Sequence, residues 1–570
     1  MELNISTFEL MRLGMKLINY MILQYRLRTN ITKIVNTTYG KVKGIVRKTV
    51  YDEEEYVAFE GIPYGKPPLD ELQFRAPQPA EPWEDVLDCT QAKSSQLQKD
   101  IFLRTVVGTL DCLYVNVYAK TLISDKPLPV IVWIHGGGYQ FGEASRRVYA
   151  PDYFMNKDVI FVAISYRLGA FGFLSLKDPD LDVPGNAGLK DQVLALRWVK
   201  ENIANFNGDP NNITLMGESA GAASTHALML TERTKGLFHK AILQSGSALC
   251  MWACTSNYDT GYRLACALGY KGKNNDKDVF RYLSKLKPQR IPECSNNLLT
   301  EKEEMLEHKL FSFLPVVEPY CTTDCIIPKP SKEMLKDAWT NDIPIITGIT
   351  SFEGLFSYYH TKKYPDTINK LNDFVHVLPI EVRQKHNEEE LKQMGSRLKQ
   401  TYFGDKTPHI DNSFMEFLDL LSYKNFFHGV LRTVVARLTY APHVPTYFYR
   451  FDFDSEHFNH FRNLTCDKGV RGVCHGDDIS YLFFHAGSSK LSKDSEEFKT
   501  IQRMIGMWTT FATNSNPNCD EIKPSIWQPV TSDNKTPKCL NINKELDFID
   551  FPEQPKIDVW NSFYTKESLV

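Results

Sequence analysis

Cysteine is scarce in this chain, with 12 cysteines among 570 residues. Their low number and irregular spacing exclude a disulfide-dense scaffold. Two C-x3-C pairs occur, Cys250 with Cys254 and Cys321 with Cys325, but neither has the second pair or the histidine that a zinc finger requires. We therefore expect mostly reduced thiols and neither a metal ion nor another cofactor.

An excess of charge of one sign is also missing. The chain has 66 Lys and Arg residues against 69 Asp and Glu residues, which gives a net charge of -3. Proteins that bind nucleic acid carry a basic excess or a basic stripe. No nucleic acid partner is expected.

Internal repeats, low-complexity tracts and linker-like Gly/Ser or Pro runs are absent from the sequence. Boundaries between domains usually fall in such linkers. We therefore expect residues 29–570 to form a single domain, preceded by an N-terminal helix within residues 1–28.

Apolar runs long enough to cross a membrane, about 18 residues or more, are missing too. Residues 7–27 are rich in Leu, Met and Ile, but Glu9, Arg12, Lys16 and Asn19 interrupt them at helical spacing. This pattern predicts an amphipathic helix. It lacks the continuous apolar core and the small-residue cleavage site of a secretory signal. An intracellular protein is expected, either cytoplasmic or peripherally attached to a membrane.

Two interpretations of this helix remain open from the sequence. It could lie on a membrane surface, with its apolar face at the headgroup boundary and Arg12, Lys16, Arg26 and Arg28 near anionic lipid. Alternatively, the helix packs on the protein body, since an amphipathic pattern serves either purpose.

Six short apolar runs, bounded by Gly, Pro or Asp, are rich in Val, Ile and Tyr without strict alternation. This composition is typical of strands buried on both faces. The runs are 130–134, 159–166, 213–216, 241–243, 343–347 and 446–453. Helical patterns such as residues 189–205 lie between them, which predicts an α/β domain with a largely parallel sheet. In such sheets, functional groups gather at the carboxyl ends of the strands.

Three consecutive glycines, Gly136, Gly137 and Gly138, follow the first of these runs in V-I-V-W-I-H-G-G-G-Y. Such a loop can cradle a phosphate, hold an oxyanion with backbone N–H groups, or form a plain flexible turn. A phosphate loop requires G-x-x-x-x-G-K-[ST], or G-x-G-x-x-G at the start of a helix. The continuation Y-Q-F-G-E-A provides neither. The oxyanion site and the flexible turn remain.

A serine lies between a predicted strand and a predicted helix. In I-T-L-M-G-E-S-A-G-A-A-S-T-H, the pattern G-x-S-x-G places Ser219 at this turn among small neighbours. A serine hydroxyl is a weak nucleophile at neutral pH. It needs a base within hydrogen-bond distance and a third group that orients the base.

Two residues of later loops are candidates for the base and for the acid that orients it. His475 lies in G-V-R-G-V-C-H-G-D-D, after the run 446–453, and Glu353 lies in T-S-F-E-G, after the run 343–347. Taken singly, each is more often structural than catalytic. The chain order Ser219, Glu353, His475 is the order of G-x-S-x-G hydrolases and favours catalytic roles.

These motifs together resemble those of the type-B carboxylesterase and cholinesterase family of α/β-hydrolases, and most closely the insect α-esterases. The resemblance extends from about residue 35 to the C-terminus. It is carried by eight segments in the family's order: F-E-G-I-P-Y-G-K-P-P (59–68), D-C-L-Y-V-N-V-Y (111–118), I-H-G-G-G-Y (134–139), V-P-G-N-A-G-L-K-D-Q (183–192), G-E-S-A-G (217–221), L-Q-S-G-S (243–247), T-S-F-E-G (350–354) and H-G-D-D (475–478).

The resemblance implies the α/β-hydrolase fold and the three catalytic roles just described. It also implies that the N–H groups of Gly137, Gly138 and Ala220 hold the oxyanion. This agrees with the position of Ala220 at a predicted helix start, where N–H groups are unpaired and the helix dipole favours negative charge.

The family pattern further implies an apolar substrate pocket. Its lining would be Tyr149, Trp252, Leu310, Phe311 and Phe356, although ordinary core packing is the alternative for each side chain. Cholinesterases bind a quaternary ammonium on a tryptophan before D-C-L-Y, and residues 90–111 contain no tryptophan. We expect uncharged aliphatic or aryl esters as substrates, in lipid metabolism or detoxification, and organophosphates as covalent inhibitors.

Three alternatives accompany this prediction. A dedicated lipid or hormone esterase is one, although juvenile-hormone esterases usually have G-Q-S-A-G where this chain has Glu218. A non-catalytic adhesion relative typically loses the nucleophile, which is present here. A protein that sequesters organophosphates or toxins needs only acylation of Ser219 without rapid release.

The sequence departs from the family pattern at two places. Leu110 stands where the family commonly has Glu, so an ion pair with Arg75 is expected to be missing. The usual disulfide partner of Cys112 is not evident: Cys89 is near the expected region, but Ser94 and Ser95 align better. We therefore do not expect a Cys89–Cys112 bridge.

Overall fold

A large mixed sheet forms the centre of the molecule. A computed structural model describes residues 7–100, 104–255, 258–295, 298–533 and 536–570. In this part of the chain, 13 strands form one sheet and two short strands pair separately.

The strands, in chain order, are β1 Arg28–Asn36, β2 Lys41–Lys48, β3 Glu55–Pro63, β4 Leu87–Asp88, β5 Gln98–Lys99, β6 Val106–Val107, β7 Tyr114–Ala119, β8 Leu128–Ile134, β9 Ile160–Ile164, β10 Gly208–Glu218, β11 Lys240–Gln244, β12 Ile345–Thr350, β13 Thr446–Phe451, β14 Lys538–Ile542 and β15 Leu546–Asp550. The sheet order is β1-β2-β3-β7-β9-β8-β10-β11-β12-β13-β14-β15, with β4 beside β2. The pairings from β9 through β14 are parallel, whereas β1 to β3, β7 and β15 pair in antiparallel fashion.

All six predicted strand runs lie in this sheet, as β8 to β13, and they are consecutive neighbours at its centre. Every residue of β8, β9, β11 and β12 is buried. Burial on both faces explains why their sequences are apolar without alternation. The predicted α/β-hydrolase fold class is confirmed.

Helices cover the sheet. Their bounds are α1 Thr7–Arg26, α2 Arg146–Tyr149, α3 Gly169–Phe173, α4 Ala187–Asn202, α5 Ala220–Leu230, α6 Thr260–Ala267, α7 Asp276–Ser284, α8 Arg290–Ser295, α9 Ser331–Met334, α10 Tyr358–Lys363, α11 Asp366–Asn369, α12 Ile380–Arg383, α13 Glu388–Phe403, α14 Phe414–Ser422, α15 His428–Tyr440, α16 His460–Thr465, α17 Glu496–Asn514, α18 Gln554–Asn561 and α19 Lys566–Leu569. The predicted helix 189–205 corresponds to α4, which a short 3-10 turn extends to Phe206.

A buried ion pair fixes α4 to the carboxyl side of β9. The guanidinium of Arg167 donates to both carboxylate oxygens of Asp191, at 2.9 and 2.6 Å, and also to the carbonyl of Leu72 at 3.0 Å. Both charged side chains are almost fully buried. Because a lone buried charge is strongly unfavourable, the two-pronged pairing holds this loop in one position.

Helix α1 packs on the body through one face. The hydroxyl of Tyr20 donates to the carbonyl of Arg146 at 2.5 Å, and the ammonium of Lys16 donates to the carbonyl of Gly487 at 3.0 Å. The sequence pattern grouped Lys16 with Arg12 in one polar stripe, but Lys16 faces the body while Arg12 is exposed. No helix in the described part of the chain has the length and hydropathy that a membrane span requires.

The structure shows the surroundings of the residues at which the sequence departs from the family pattern. Leu110 is buried. Arg75 donates to the carbonyl of Leu181 at 3.2 Å, and its guanidinium lies over the ring of Phe280. Cys89 and Cys112 are buried free thiols.

Candidate functional site

The turn between β10 and α5 holds Ser219 in a strained backbone conformation. Its φ is +55° and its ψ is -123°, a region that residues other than glycine rarely adopt. A Cβ atom at Gly217 would lie 2.3 Å from the backbone of Gly221, and one at Gly221 would lie 2.0 Å from the carbonyl oxygen of Ile134. The turn is therefore too tight for side chains at either glycine, which is the physical reason for G-x-S-x-G.

His475 lies between Ser219 and Glu353. Its Nε2 atom is 2.8 Å from the Ser219 Oγ atom, and its Nδ1 atom is 2.6 Å from the Glu353 Oε2 atom. With Nδ1–H donating to the carboxylate, Nε2 accepts the serine hydroxyl proton. The structure thus brings together three residues from loops that follow β10, β12 and β13.

Glu353 is fixed by a second hydrogen bond. Its Oε1 atom accepts the N–H group of Thr350, the last residue of β12, at 2.8 Å, and its side chain is fully buried. One carboxylate oxygen is therefore held by the strand end while the other faces His475. This arrangement orients the imidazole ring.

Two buried acids hold the loop that carries the histidine. Asp477 accepts the N–H groups of Cys474 at 2.7 Å and Arg462 at 3.0 Å. Asp478 accepts a hydrogen bond from the side-chain amide of Gln244 at 2.8 Å. Burial raises the pKa of Asp478 to about 6. The motif H-G-D-D is therefore explained by anchoring of the loop after its histidine.

Glu218, which precedes the serine, is a site residue that the sequence did not assign to the site. Its Oε1 atom lies 3.2 Å from the Nε2 atom of His475. Burial raises the pKa of Glu218 above its ordinary value, and the opposing effect of His475 is smaller. Burial lowers the pKa of His475, but the carboxylates of Glu218 and Glu353 outweigh it and raise that pKa.

The three glycines after β8 lie against the serine turn. A Cβ atom at Gly136 would be 3.0 Å from that of Ser219. Gly137 and Gly138 have φ values of +109° and +57°. Within the described residues, their N–H groups donate no hydrogen bond, and the N–H group of Ala220 is at the first position of α5, where helices leave N–H groups unpaired.

His135 holds this glycine loop from behind and was not assigned from the sequence. Its Nδ1 atom lies 2.8 Å from the Gly136 carbonyl oxygen, and its Nε2 atom lies 3.0 Å from the side-chain amide nitrogen of Gln96. Its ring stacks on Tyr166 at a centroid distance of 4.6 Å. Burial lowers the pKa of His135 to about 4, so the ring is neutral and donates through Nδ1 only.

Aromatic side chains surround the row formed by Ser219, His475 and Glu353. Phe356 and Phe426 contact the ring of His475 at centroid distances of 5.3 and 4.3 Å. Trp252 packs on Phe426 at 6.0 Å and donates its indole N–H to a backbone carbonyl. A Cβ atom at Gly138 would lie 2.3 Å from the ring of Phe311. These four side chains give the site apolar walls.

Tyr149 and Leu310 are the other two residues that were predicted to line the pocket. Tyr149 is buried and packs on Trp133 and Phe483, at centroid distances of 5.2 and 5.3 Å. Its environment is thus an aromatic core cluster, close enough to Glu218 that this carboxyl contributes to the raised pKa of the phenol. Leu310 is half-buried beside Phe311.

Phe426 had no sequence signal. It lies in a π-helical turn, Tyr423–Phe427, between α14 and α15. Glu218 and His135 had a weak signal, because each adjoins a motif that the sequence did identify. In the described part of the chain, no group of three or more His, Cys, Asp or Glu side chains could hold a metal ion.

The chain matches the carboxylesterase family over residues 31–560. It is 37% identical over 538 residues to esterase B1 of Culex pipiens, covering 94% of this chain and 98% of that protein. It is 33% identical to a juvenile hormone esterase of Tribolium castaneum, covering 85% of this chain and 84% of that protein.

A solved structure of an esterase is also similar to this chain. The crystal structure of juvenile hormone esterase from Manduca sexta, with OTFP covalently attached, aligns with a TM-score of 0.81 and 28% identity. The alignment covers 94% of this chain and all of that chain. On its sequence, fold and relatives, the chain belongs to the carboxylesterase family and is a carboxylic-ester hydrolase.

Proposed function

We propose that Ser219 is the nucleophile of this ester hydrolase, that His475 is its general base and that Glu353 orients the base. The observation that carries the proposal is the hydrogen-bonded row of these residues, with distances of 2.8 and 2.6 Å. The row lies at the carboxyl ends of central parallel strands, where α/β proteins concentrate their chemistry.

The reaction proceeds in two halves through an acyl-enzyme. His475 accepts the hydroxyl proton as Ser219 Oγ attacks the acyl carbon, and then gives that proton to the departing alcohol. A water molecule loses a proton to the same nitrogen and attacks the acyl carbon. The bond from that carbon to Ser219 Oγ then breaks, His475 returns the proton to Oγ, and the acid is released. The carboxylate of Glu353, which accepts Nδ1–H, stabilises the imidazolium in both halves.

Backbone N–H groups of Gly137, Gly138 and Ala220 stabilise the tetrahedral oxyanion in this proposal. Support comes from the contact between the glycine loop and the serine turn and from the unpaired amides of both glycines. Amides held in place by the fold need no reorganisation as the charge develops. One such donor typically contributes a factor of about 100 or more to turnover.

Uncharged aliphatic and aryl esters are the substrates that fit these walls best, and lipid metabolism or detoxification is the corresponding role. Phe311, Phe356 and Phe426 offer apolar surface, with Trp252 behind them. Organophosphates would phosphorylate Ser219, because their phosphoryl centre mimics the attacked carbonyl. The trapped OTFP adduct belongs to the Manduca sexta enzyme, and its covalent attachment motivates the corresponding test here.

The test compares Ser219→Ala, His475→Ala and Glu353→Ala on a panel of aliphatic and aryl esters. We expect each variant to lose about a thousandfold or more in kcat, with near-equal losses for the serine and histidine variants because they act as one unit. Thr439→Ala, an exposed residue on α15, is the matched control. Unchanged turnover in Ser219→Ala would refute the proposal.

A further inference from the structure

Two cysteines that the esterase mechanism does not use lie in direct contact. They are the ends of the C-x3-C motif C-T-T-D-C, residues 321–325. The Sγ atoms of Cys321 and Cys325 are 3.0 Å apart, and the Cys325 thiol donates to the Cys321 sulfur. Two sulfur atoms joined in a disulfide are about 2.05 Å apart. The two thiols are therefore within about 1 Å of bonding distance.

A tight turn brings these two thiols together. The N–H group of Cys325 donates to the carbonyl of Thr322 at 3.2 Å, and the N–H group of Asp324 donates to the hydroxyl of Thr322 at 3.3 Å. Bonds of this kind reverse the direction of the chain over four residues. The turn explains why two side chains that are four positions apart meet outside a helix.

A buried ion pair fixes the base of the loop that carries the two thiols. The Nζ atom of Lys190 lies 2.9 Å from the Oε2 atom of Glu318, and both side chains are almost fully buried. The Oε1 atom of Glu318 accepts the N–H group of Ile326 at 2.7 Å and the side-chain amide of Asn186 at 3.1 Å. Because the loop is held at both ends, its two thiols lose little further freedom when they bond to each other.

The two thiols differ in their access to solvent. The twelve cysteines all lie in the described part of the chain, and Cys321 is the one exposed thiol among them. Cys325 is only 8% exposed, and burial raises the pKa of its thiol. An oxidant in solution therefore meets Cys321 first, while Cys325 remains protonated behind it.

The other C-x3-C motif has the same spacing but a different arrangement of its sulfur atoms. Cys250 donates to the carbonyl of Phe426 at 3.8 Å, and Cys254 donates to the carbonyl of Thr255 at 3.9 Å. The thiols of that motif are thus directed to two different backbone carbonyls. This pair provides an internal comparison, because only the structure distinguishes it from Cys321 and Cys325.

We propose that Cys321 and Cys325 form a redox-active dithiol, which a peroxide converts to a disulfide and a small dithiol restores. An exposed thiol with a second thiol directly behind it is the arrangement in which an oxidised cysteine is resolved as a disulfide. A structural zinc ion would require four ligands. Among the described residues, no group of three or more His, Cys, Asp or Glu side chains could hold a metal ion, which favours redox chemistry for this pair.

The reaction has two steps. The Cys321 thiolate attacks one oxygen of hydrogen peroxide, the O–O bond breaks, and the released hydroxide takes up a proton to become water. The sulfur of Cys325 then attacks the sulfenic acid at Cys321, loses its proton and displaces the hydroxyl group as a second water. The two sulfur atoms together lose two electrons, which the peroxide gains. A dithiol such as dithiothreitol reverses the bond by thiol–disulfide exchange and is itself oxidised.

The test treats the reduced full chain with hydrogen peroxide, alkylates the remaining free thiols and maps all cysteines by mass spectrometry. We expect a disulfide between Cys321 and Cys325 to be the first product, and dithiothreitol to return both thiols. Cys250 and Cys254, with the same spacing but separately directed sulfur atoms, should still be recovered as free thiols at that time.

The variant Cys325→Ser tests whether the second thiol resolves the first. Without it, the sulfenic acid at Cys321 is oxidised further to sulfinic acid, which dithiothreitol does not reduce. We expect about tenfold or more irreversible oxidation of Cys321 than in the parent. Cys294→Ser, which removes a half-buried thiol of α8, is the matched control and should behave like the parent. Hydrolysis of a soluble ester by the reduced variants, at the parent rate, verifies the fold.

Three results would overturn the proposal. The first is the absence of a Cys321–Cys325 disulfide in the treated parent, whether Cys321 stays a thiol or becomes sulfinic acid. The second is a disulfide that forms earlier at another pair, such as Cys466 with Cys474, whose sulfur atoms both lie near the Thr465 hydroxyl. The third is equal irreversible oxidation of Cys321 in Cys325→Ser and in the control variant.

Discussion

At the scale of single residues, the electrostatics of the site depend on three buried groups. His475 must be neutral to accept a proton, yet Glu218 and Glu353 both favour its charged form. In the proposed mechanism Glu353 orients the base, because its carboxylate accepts Nδ1–H. Glu218 lies on the other side, 3.2 Å from the nitrogen that accepts the serine proton. It therefore tunes the base without orienting it.

We expect Glu218→Gln to move the acid limb of the kcat/KM pH profile to lower pH. Glu218 raises the pKa of His475, so an uncharged side chain lowers that pKa and the imidazole loses its proton at lower pH. A pH series with an uncharged ester measures the shift. Glu388→Gln, an exposed glutamate at the start of α13, should leave the profile unchanged. An acid limb that stays in place or moves upward would contradict this account.

A bulky or acidic side chain at Gly138 is predicted to slow turnover strongly while leaving the fold intact. An aspartate there would meet the ring of Phe311, with a Cβ distance of 2.3 Å. It would also add negative charge beside the amides that we propose hold the oxyanion. We expect Gly138→Asp to lose about a hundredfold or more in kcat/KM. Gly404 has the same φ of +57° with open space around it, so Gly404→Asp controls for backbone strain. Normal turnover in Gly138→Asp would count against the assignment.

At the scale of elements, the tight turn from β10 to α5 positions Ser219, the proposed nucleophile. The parallel neighbours β8 and β11 flank β10, and the first turn of α5 touches the end of β8 through Gly221. The helix therefore starts directly behind the glycine loop. Any added volume at this contact must displace either the helix start or the strand end.

Gly221→Ala is expected to lower the free energy of unfolding by about 1–3 kcal/mol, the range typical of overpacking. The added methyl group would lie 2.0 Å from the carbonyl oxygen of Ile134. Gly14→Ala, in open space on α1, is the matched control and should be neutral or stabilising, because alanine favours helix. Chemical denaturation followed by tryptophan fluorescence measures both. Equal stability of the two variants would show that the contact is not tight.

Sequence patterns predicted best those elements whose sequence signal lies within a few consecutive residues. Central strands were predicted well, since burial on both faces makes a strand apolar throughout its length. For α1 the sequence left two interpretations open, because only tertiary packing determines which of its side chains contact the body. Lys16 donates to the carbonyl of Gly487, in a distant loop, while Met and Ile side chains of the helix are exposed. Phe426 was missed because its π-helical turn has no motif.

At the scale of the whole molecule, motif order was sufficient for the fold class and for the prediction that Ser219, Glu353 and His475 lie together in one hydrogen-bonded row. Ser219, Glu353 and His475 each follow a strand of one parallel sheet, so strand prediction implied that they converge. The contact between the thiols of Cys321 and Cys325 was not predictable in this way. The other C-x3-C pair has the same spacing, but its thiols donate to two different backbone carbonyls, so spacing alone does not bring two sulfur atoms together.

The central claim, that Ser219 is the nucleophile activated by His475, is tested most directly by locating the covalent adduct of a fluorophosphonate probe. The native protein is labelled, digested and analysed by mass spectrometry, beside the His475→Ala variant and a heat-denatured sample. The account predicts one phosphonyl group per chain, on Ser219, with labelling much slower in His475→Ala and absent after denaturation. An unlabelled Ser219, or a modified residue elsewhere in the active native protein, would contradict it.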